Sequence, residues 1–316
     1  MPIKWTFLML LLAAAAVLAL CGGAAWFTPA ELLSPECRLI LQLRLMRLAT
    51  AFLVGAGLAV SGAACQAVLR NDLAEPYLLG ISGGAGIGAA AAILAGLAAV
   101  SAWAMPLGAF LGAAAALAAV LTPVRHGDYG NRVLLSGVII GSLCGSFLML
   151  LIHLMGDREL AGIVSWMLGD LQGRDWPLLA AAGSLIGVGA LLLVLLGRAA
   201  NALSLGGDLA YGFGVPPVRC GRLILALAAL LGAAAVSLAG LIGFVGLIVP
   251  HIARRFTGAD HRRLFAFCFV SGGTFLVLCD LLARALLPDQ EIPVGIVTAF
   301  VGGPFFLWLL HRRSGV

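Results

Sequence analysis

Apolar runs of about twenty residues recur along the whole chain, and each is long enough to cross the hydrocarbon core of a bilayer as a helix. Of the 316 residues, 62% are hydrophobic and only 10% are charged, which is too few charges to cover the surface of a soluble protein. Strands of a membrane barrel alternate apolar and polar residues, whereas these runs are continuously apolar. The sequence therefore predicts an all-α, polytopic membrane protein.

We predict about ten membrane-spanning helices in one transmembrane domain, residues 1–316, although hydropathy alone would allow eight to ten. The first run follows Lys4 and is longer than the apolar region of a secretory signal, which favours a retained first helix over a cleaved signal. The ten helices are expected at about 5–26, 47–69, 78–98, 102–122, 132–155, 176–197, 221–239, 244–256, 264–287 and 294–311.

Basic residues fall mainly on one side of this arrangement. If the N-terminus is cytoplasmic, thirteen Lys and Arg residues lie in cytoplasmic segments and six lie outside, while the acidic residues lean outward. An excess of Lys and Arg marks the cytoplasmic loops of membrane proteins. We therefore expect a multi-pass protein of the cytoplasmic (inner) membrane with both termini in the cytoplasm.

Glycines repeat at helical spacing in two of the runs, at positions 80, 84 and 88 and at positions 137, 141 and 145. Such ridges let two helix backbones approach closely inside lipid. The run Gly83–Gly86 follows no strand, so helix packing is favoured over a phosphate-binding loop. The seven cysteines include no Cys-x-x-Cys pair, and most lie in apolar runs, where cysteine is usually a small hydrophobe.

Several kinds of chemistry lack their sequence signals. Lys4 is the only lysine, so the chain has no P-loop and cannot hydrolyse ATP by itself. No catalytic constellation or metal motif is present, and we expect no catalytic residue, bound metal, cofactor or nucleic-acid partner. Asp280 is the one carboxylate clearly inside an apolar run, whereas a proton-coupled transporter usually needs more intramembrane ionisable groups. An energy source on another chain is thus favoured over a secondary transporter or an intramembrane enzyme.

The segment at about 198–217 is predicted to lie in the cytoplasm and to form one or two short helices, with Gly206 and Gly214 as stops. Asn201 or Ser204 is expected to cap the first helix. Apolar residues on a short cytoplasmic element suggest docking to a partner, and an interfacial helix on the lipid is the alternative.

Four long motifs follow one another along the chain. They are Arg70-Asn-Asp-Leu-Ala-Glu-Pro-Tyr-Leu-Leu-Gly-Ile-Ser, Ala239-Gly-Leu-Ile-Gly-Phe-Val-Gly-Leu-Ile-Val-Pro-His-Ile-Ala-Arg254, Asp260-His-Arg-Arg263 and the stretch 291–308, which begins Glu-Ile-Pro-Val-Gly. In this order they resemble the motifs of the FecCD/BtuC family, the permeases of ABC importers for iron–siderophore, haem and cobalamin complexes. The resemblance covers nearly the whole chain.

The resemblance implies a homodimer of ten-helix permease subunits that works with two cytoplasmic ATPase subunits and an extracytoplasmic substrate-binding protein. ATP would be bound by the partner ATPases, and cargo would cross at the dimer interface. Among family cargoes we expect an iron(III)–siderophore complex, with haem or cobalamin as the alternative. The family's ATPase-coupling contacts map onto Leu203, Ser204, Leu205, Gly206, Asp208, Ala210, Gly214 and Val215.

Three arginines match the family's basic positions at the outer mouth: Arg44, Arg47 and Arg284. Exposed arginines there would steer an acidic binding protein, whereas snorkelling of arginines at the membrane edge is the alternative. The chain departs from the family where Met46 stands between the first two arginines and where Asp72 follows Asn71, because the family has proline at both places.

Three further features allow a functional and a structural interpretation. Ser142 and Ser146 share a helix face and could line a pore or bond between helices. His251 follows Pro250, which is expected to break its helix, and a structural hydrogen bond is favoured there over a metal or proton role. Asp280 and Arg284 are four residues apart, which predicts an ion pair.

Overall fold

The computed structural model describes residues 2–23, 25–122, 129–172, 175–287 and 290–313, and these ranges contain helices and no strand. Two 3₁₀ turns, Pro35–Cys37 and Pro76–Leu79, accompany the α-helices. The α-helices are α1 (Pro2–Cys21), α2 (Pro29–Leu32), α3 (Arg38–Leu69), α4 (Ile81–Leu94), α5 (Leu97–Val100), α6 (Ala104–Leu121), α7 (Tyr129–His153), α8 (Asp157–Met167), α9 (Trp176–Leu195), α10 (Gly197–Leu205), α11 (Gly207–Gly212), α12 (Pro217–Ala239), α13 (Val245–Thr257), α14 (His261–Ala285) and α15 (Val294–Arg313).

Seven of these helices are long and apolar enough to cross a membrane: α1, α3, α6, α7, α9, α12 and α14. The shorter apolar helices α4 and α15 and the amphipathic helix α13 follow the predicted order, and the all-helical fold is as predicted. Two differences stand out: α3 starts at Arg38 rather than near residue 47, and the amphipathic helix α8 follows α7 where no helix was expected. Charged Asp157, Arg158 and Glu159 at the start of α8 interrupt the apolar run.

Helix α3 is the centre of the bundle, and all its residues from Val54 to Leu69 are buried. Two glycines let neighbouring helices touch its backbone. A Cβ at Gly55 would overlap the carbonyl oxygen of Gly272 in α14, and a Cβ at Gly62 would overlap that of Gly246 in α13. Close backbone approach of this kind supplies the van der Waals contact that holds helices together in lipid.

The first predicted glycine ridge does pack helices together. Gly84 and Gly88 of α4 meet Gly112 and Gly108 of α6, and a Cβ at any of the four would collide with the facing backbone. In the second ridge Gly137 lies against the carbonyl oxygen of Leu78, whereas Gly145 has open space where a Cβ would stand.

The break in regular structure lies at Gly240–Phe244, between α12 and α13, rather than at Pro250 as predicted. Pro250 remains inside α13, and the chain turns earlier, at Gly240 and Phe244, which both have positive φ. Unwound backbone inside a membrane persists only where other groups satisfy it. The loop after α3 does this, because the Tyr77 hydroxyl both accepts from Ile242 N–H and donates to its carbonyl, at 3.0 Å each.

Glu75, two residues before that tyrosine, bonds to the same break through the backbone N–H of Phe244. Burial raises the pKa of the Glu75 carboxyl from its ordinary 4.5 to about 7, and the Phe244 N–H opposes the shift in part. The segment between α3 and α4 is therefore the hydrogen-bonding partner of the α12–α13 break.

Candidate coupling and docking sites

Helices α10 and α11 form the segment that was expected to couple to a partner. They meet at Gly206, whose φ of 122° is a conformation that side chains with a Cβ rarely adopt. Gly214 follows the end of α11, also with positive φ, so both predicted stops are confirmed. The predicted caps are wrong, because α10 already starts at Gly197 and both Asn201 and Ser204 lie inside it.

The eight residues expected to make coupling contacts divide by exposure. Leu205, Asp208 and Gly214 are exposed, Ser204 and Val215 are partly buried, and Leu203, Gly206 and Ala210 are buried and form the base of the segment. Three large side chains that the motif comparison did not single out are also exposed, namely Leu209, Tyr211 and Phe213 at 54%, 74% and 67%.

A cleft of about 850 Å³ opens beside this segment, between α10–α11 and the end of α3. Arg70 and Asp208 supply charge to its lining, and Leu205, Leu209 and Tyr211 supply apolar surface. An exposed apolar patch with a charged rim is typical of a surface that docks a protein partner.

The three candidate docking arginines lie together at the opposite end of the bundle. Arg44 is partly exposed, donates to the carbonyl oxygens of Leu20 and Ala25, and lies 5.0 Å from the ring centre of Phe27. Arg47 contacts Asp280 and Glu291, each at 2.8 Å. Both arginines line a cleft of about 580 Å³.

Arg284 differs from the other two because its side chain is only 6% exposed. It contacts Asp280 at 3.1 Å, which confirms the predicted ion pair, and it donates to the carbonyl oxygens of Ala19 and Gly22 at the end of α1. In this conformation Arg284 joins α14 to α1, and only a small part of its side chain contributes to the lining of the same cleft.

Ser142 and Ser146 both lie exposed on α7, where the Ser146 hydroxyl donates to the Ser142 carbonyl at 3.1 Å. Their hydroxyl face belongs to a helix of which only 11% of the most apolar stretch is buried, against 78% for α3. His251 packs its ring edge-on against Phe305, with 6.0 Å between ring centres. Within the described ranges, no three His, Cys, Asp or Glu side chains are placed to hold a metal ion together.

Comparison with known proteins agrees with this arrangement. Residues 10–312 match the model of the FecCD transport family. The vitamin B12 import system permease protein BtuC of Klebsiella pneumoniae is 38% identical over 99% of this chain and 95% of its own length. The protein of the same name from Escherichia coli O139:H28 is also 38% identical, over 99% and 96%.

Among solved structures, an inward-facing transporter assigned to the metal-chelate type of ABC transporter superimposes with a TM-score of 0.91. It is 31% identical and is matched over 99% of this chain and 100% of its own. PsaBC from Streptococcus pneumoniae, at 17% identity and a TM-score of 0.56, shares the fold. The chain therefore belongs to the FecCD transport family, as a multi-pass permease of the ABC importer type.

Proposed function

We propose that this chain is the permease half of an ATP-driven importer, in which two copies form the translocation pathway and each docks one ATPase on α10–α11. The observation that carries the proposal is the exposed apolar surface of Leu205, Leu209, Tyr211 and Phe213 on a short element outside the spans. Leu205, Leu209 and Tyr211 line the cleft of about 850 Å³, whereas a helix that lies on the lipid surface would need no cleft. The cleft therefore favours a protein partner over an interfacial helix.

The orientation follows from the charges at the two ends of the bundle. Arg70, Arg198, Arg254 and Arg263 are among many basic residues at the α10–α11 end, which by the distribution of Lys and Arg is the cytoplasmic end. The chain termini belong to this end by the same argument, and Lys4 donates to the Phe256 carbonyl there. Two of the arginines counted in the sequence, Arg125 and Arg174, lie outside the described residues.

The second copy is proposed to pack against α7 and α15. These helices expose large side chains within one chain, including Phe147 at 49% and Phe300 at 77%. A pathway between two copies would place Ser142 and Ser146 near its lining, where sparse hydroxyls give a bulky ligand few strong contacts.

The cargo is proposed to be a bulky metal–chelate complex, with cobalamin as the first candidate. The relatives that are 38% identical over nearly full length are named for vitamin B12 import, and the 31% identical structure is of the metal-chelate type. The iron(III)–siderophore complex expected from the sequence falls in the same chemical class and is the second candidate.

A substrate-binding protein is proposed to dock at the opposite, outer end around Arg44. Arg44 is partly exposed and donates to backbone carbonyl oxygens, whereas Arg47 and Arg284 contact the carboxylates of Asp280 and Glu291 that hold the surrounding helices. Charged groups at such a rim set the association rate and orientation of an acidic partner more than its affinity.

The test is co-purification of this chain with the ATPase encoded by the neighbouring gene. The double variant Leu205→Asp with Leu209→Asp places charge on the apolar surface of α10–α11. We expect it to lose the ATPase while the variant remains monodisperse in detergent. Leu73→Asp is the matched control, because Leu73 is similarly exposed, at 46%, in the loop after α3. Retention of the ATPase by the double variant would remove α10–α11 as the docking surface.

A further inference from the structure

Asn201, in the middle of α10, is bonded to residues sixty positions later in the chain. Its Oδ1 accepts two hydrogen bonds from His261, one from the backbone N–H and one from the ring Nδ1, both at 2.8 Å. Its Nδ2 donates to Asp260 Oδ1 at 3.1 Å. Since Oδ1 receives two donors and Nδ2 faces a carboxylate, the orientation of the Asn201 amide is defined.

These bonds supply hydrogen-bond acceptors to the first turn of α14 from residues that precede this helix in the chain. The first N–H groups of a helix have no acceptor within it. Asp260 accepts from the N–H of Arg262 at 3.1 Å as an ordinary cap, and Asn201 supplies the acceptor for His261 from a different helix. The Asn201 amide is also the main cause that lowers the pKa of Asp260, which keeps this carboxylate charged and the bond strong.

A second contact fixes the same two helices one turn away. Gly197 begins α10, and a Cβ there would come within 2.7 Å of the backbone N and Cα of Arg262. The start of α10 and the start of α14 are thus in direct backbone contact beside the hydrogen-bonded residues. We name the contacts of Gly197 and Asn201 with residues 260–262 the α10–α14 clamp.

Helix α14 then runs from this clamp to the arginine cluster at the other end of the bundle. Its middle touches α3 at Gly272, where a Cβ would come against Gly55 and Ala59. Near its far end Asp280 contacts Arg47, and Arg47 contacts Glu291 on the segment that enters α15. A displacement of the first turn of α14 therefore reaches the Glu291 segment through a packed helix and two ion pairs.

We propose that Asn201 is a positioning residue for transport: through the α10–α14 clamp it transmits the movement that the ATPases impose on α10–α11 to the segment 290–296 at the outer end. This proposal rests on the proposed function, because it requires ATPases docked at α10–α11. A clamp that only stabilised the fold would change thermal stability and leave the ATP-dependent response of the outer segment intact.

The test uses the permease in nanodiscs with its ATPase bound, before and after trapping with ATP and vanadate. Hydrogen–deuterium exchange is followed separately in peptides from 197–214 and from 290–296. Asn201→Asp sets a carboxylate against Asp260 and is expected to keep the ATPase and the response of 197–214. The response of 290–296 should fall about threefold or more, the range for a change in coupling between sites.

Two further variants sharpen the result. Adding Asp260→Asn to Asn201→Asp restores a donor–acceptor pair with its polarity reversed, and should recover much of the lost response. Ser271→Ala is the matched control, because its hydroxyl donates within α14 itself, to the Phe267 carbonyl at 2.7 Å, and its response should equal that of wild type.

The outcomes separate the two proposals. If wild type holds no ATPase, the proposed function is overturned and this inference with it. If wild type holds the ATPase and Asn201→Asp shows the full response of 290–296, the inference alone is overturned. Should Asn201→Asp itself fail to hold the ATPase, Gly197→Ala, which separates the same helices without adding charge, decides by the same measurement.

Discussion

Replacing Asp280 by Asn keeps the shape of a buried side chain and removes a charge that two arginines share. The Asp280 and Arg284 side chains are 3% and 6% exposed, so Arg284 would be left as a buried cation. Removing one partner of a buried ion pair costs about 3–5 kcal/mol. Because Arg284 keeps two carbonyl acceptors and Arg47 keeps Glu291, we expect the lower bound, about 3 kcal/mol.

At about 2 °C per kcal/mol for a chain of this size, Asp280→Asn should lower Tm by roughly 6 °C in detergent. Asp72→Asn is the matched control, because Asp72 pairs with Arg254 at 3.2 Å but is 47% exposed. An exposed pair contributes about 0–1 kcal/mol, so the control should shift Tm by at most about 2 °C. Equal shifts in the two variants would refute the argument that burial makes the Asp280 pair strong.

Two further predictions concern the centre of the bundle. Gly62→Ala should cost about 1–3 kcal/mol by forcing α3 from α13, measured as lower Tm, whereas Gly187→Ala, with open space at its Cβ position, should be neutral or stabilising. Glu75 holds its proton more tightly when folded, since its pKa rises from 4.5 to about 7, so its contribution to stability should fall as pH rises through that window. Glu75→Gln should accordingly show a flatter decline of Tm from pH 5 to 8 than wild type; an identical slope would contradict the burial of that carboxyl.

The membrane spans could be predicted from the sequence because each is a long apolar run. The positions of the arginines at the outer ends of α3 and α14 could not be predicted in this way. Charges at Arg44 and Arg47 made the second span seem to begin near residue 47. In the structure carbonyl and carboxylate oxygens satisfy both guanidinium groups, so α3 continues back to Arg38. Hydropathy carries no information on which face of a helix turns inward. The sequence therefore predicted an exposed Arg284 at the outer mouth, whereas its side chain is buried.

In the α10–α11 segment, features set by single residues could be predicted from the sequence, whereas contacts with distant residues could not. Its two glycine stops depend on backbone conformation at single residues, and the sequence indicated both. Asn201 was mistaken for a cap of its own helix, although the helix it caps starts at His261. A partner sixty residues away leaves no local pattern, and only the tertiary arrangement of α10 and α14 reveals it.

The glycine contacts of α3 have a consequence for biosynthesis. Gly62 touches Gly246, which the ribosome reaches 184 residues later. Translation proceeds at roughly 5–20 residues per second, so about 10–40 s pass between the synthesis of Gly62 and that of Gly246. During that interval the glycine face of α3 is filled only by lipid, or by any other helix that fits a small-residue groove. The newly made chain should therefore be most prone to wrong helix pairing before α13 and α14 emerge, and a membrane chaperone that covers α3 would act in that window.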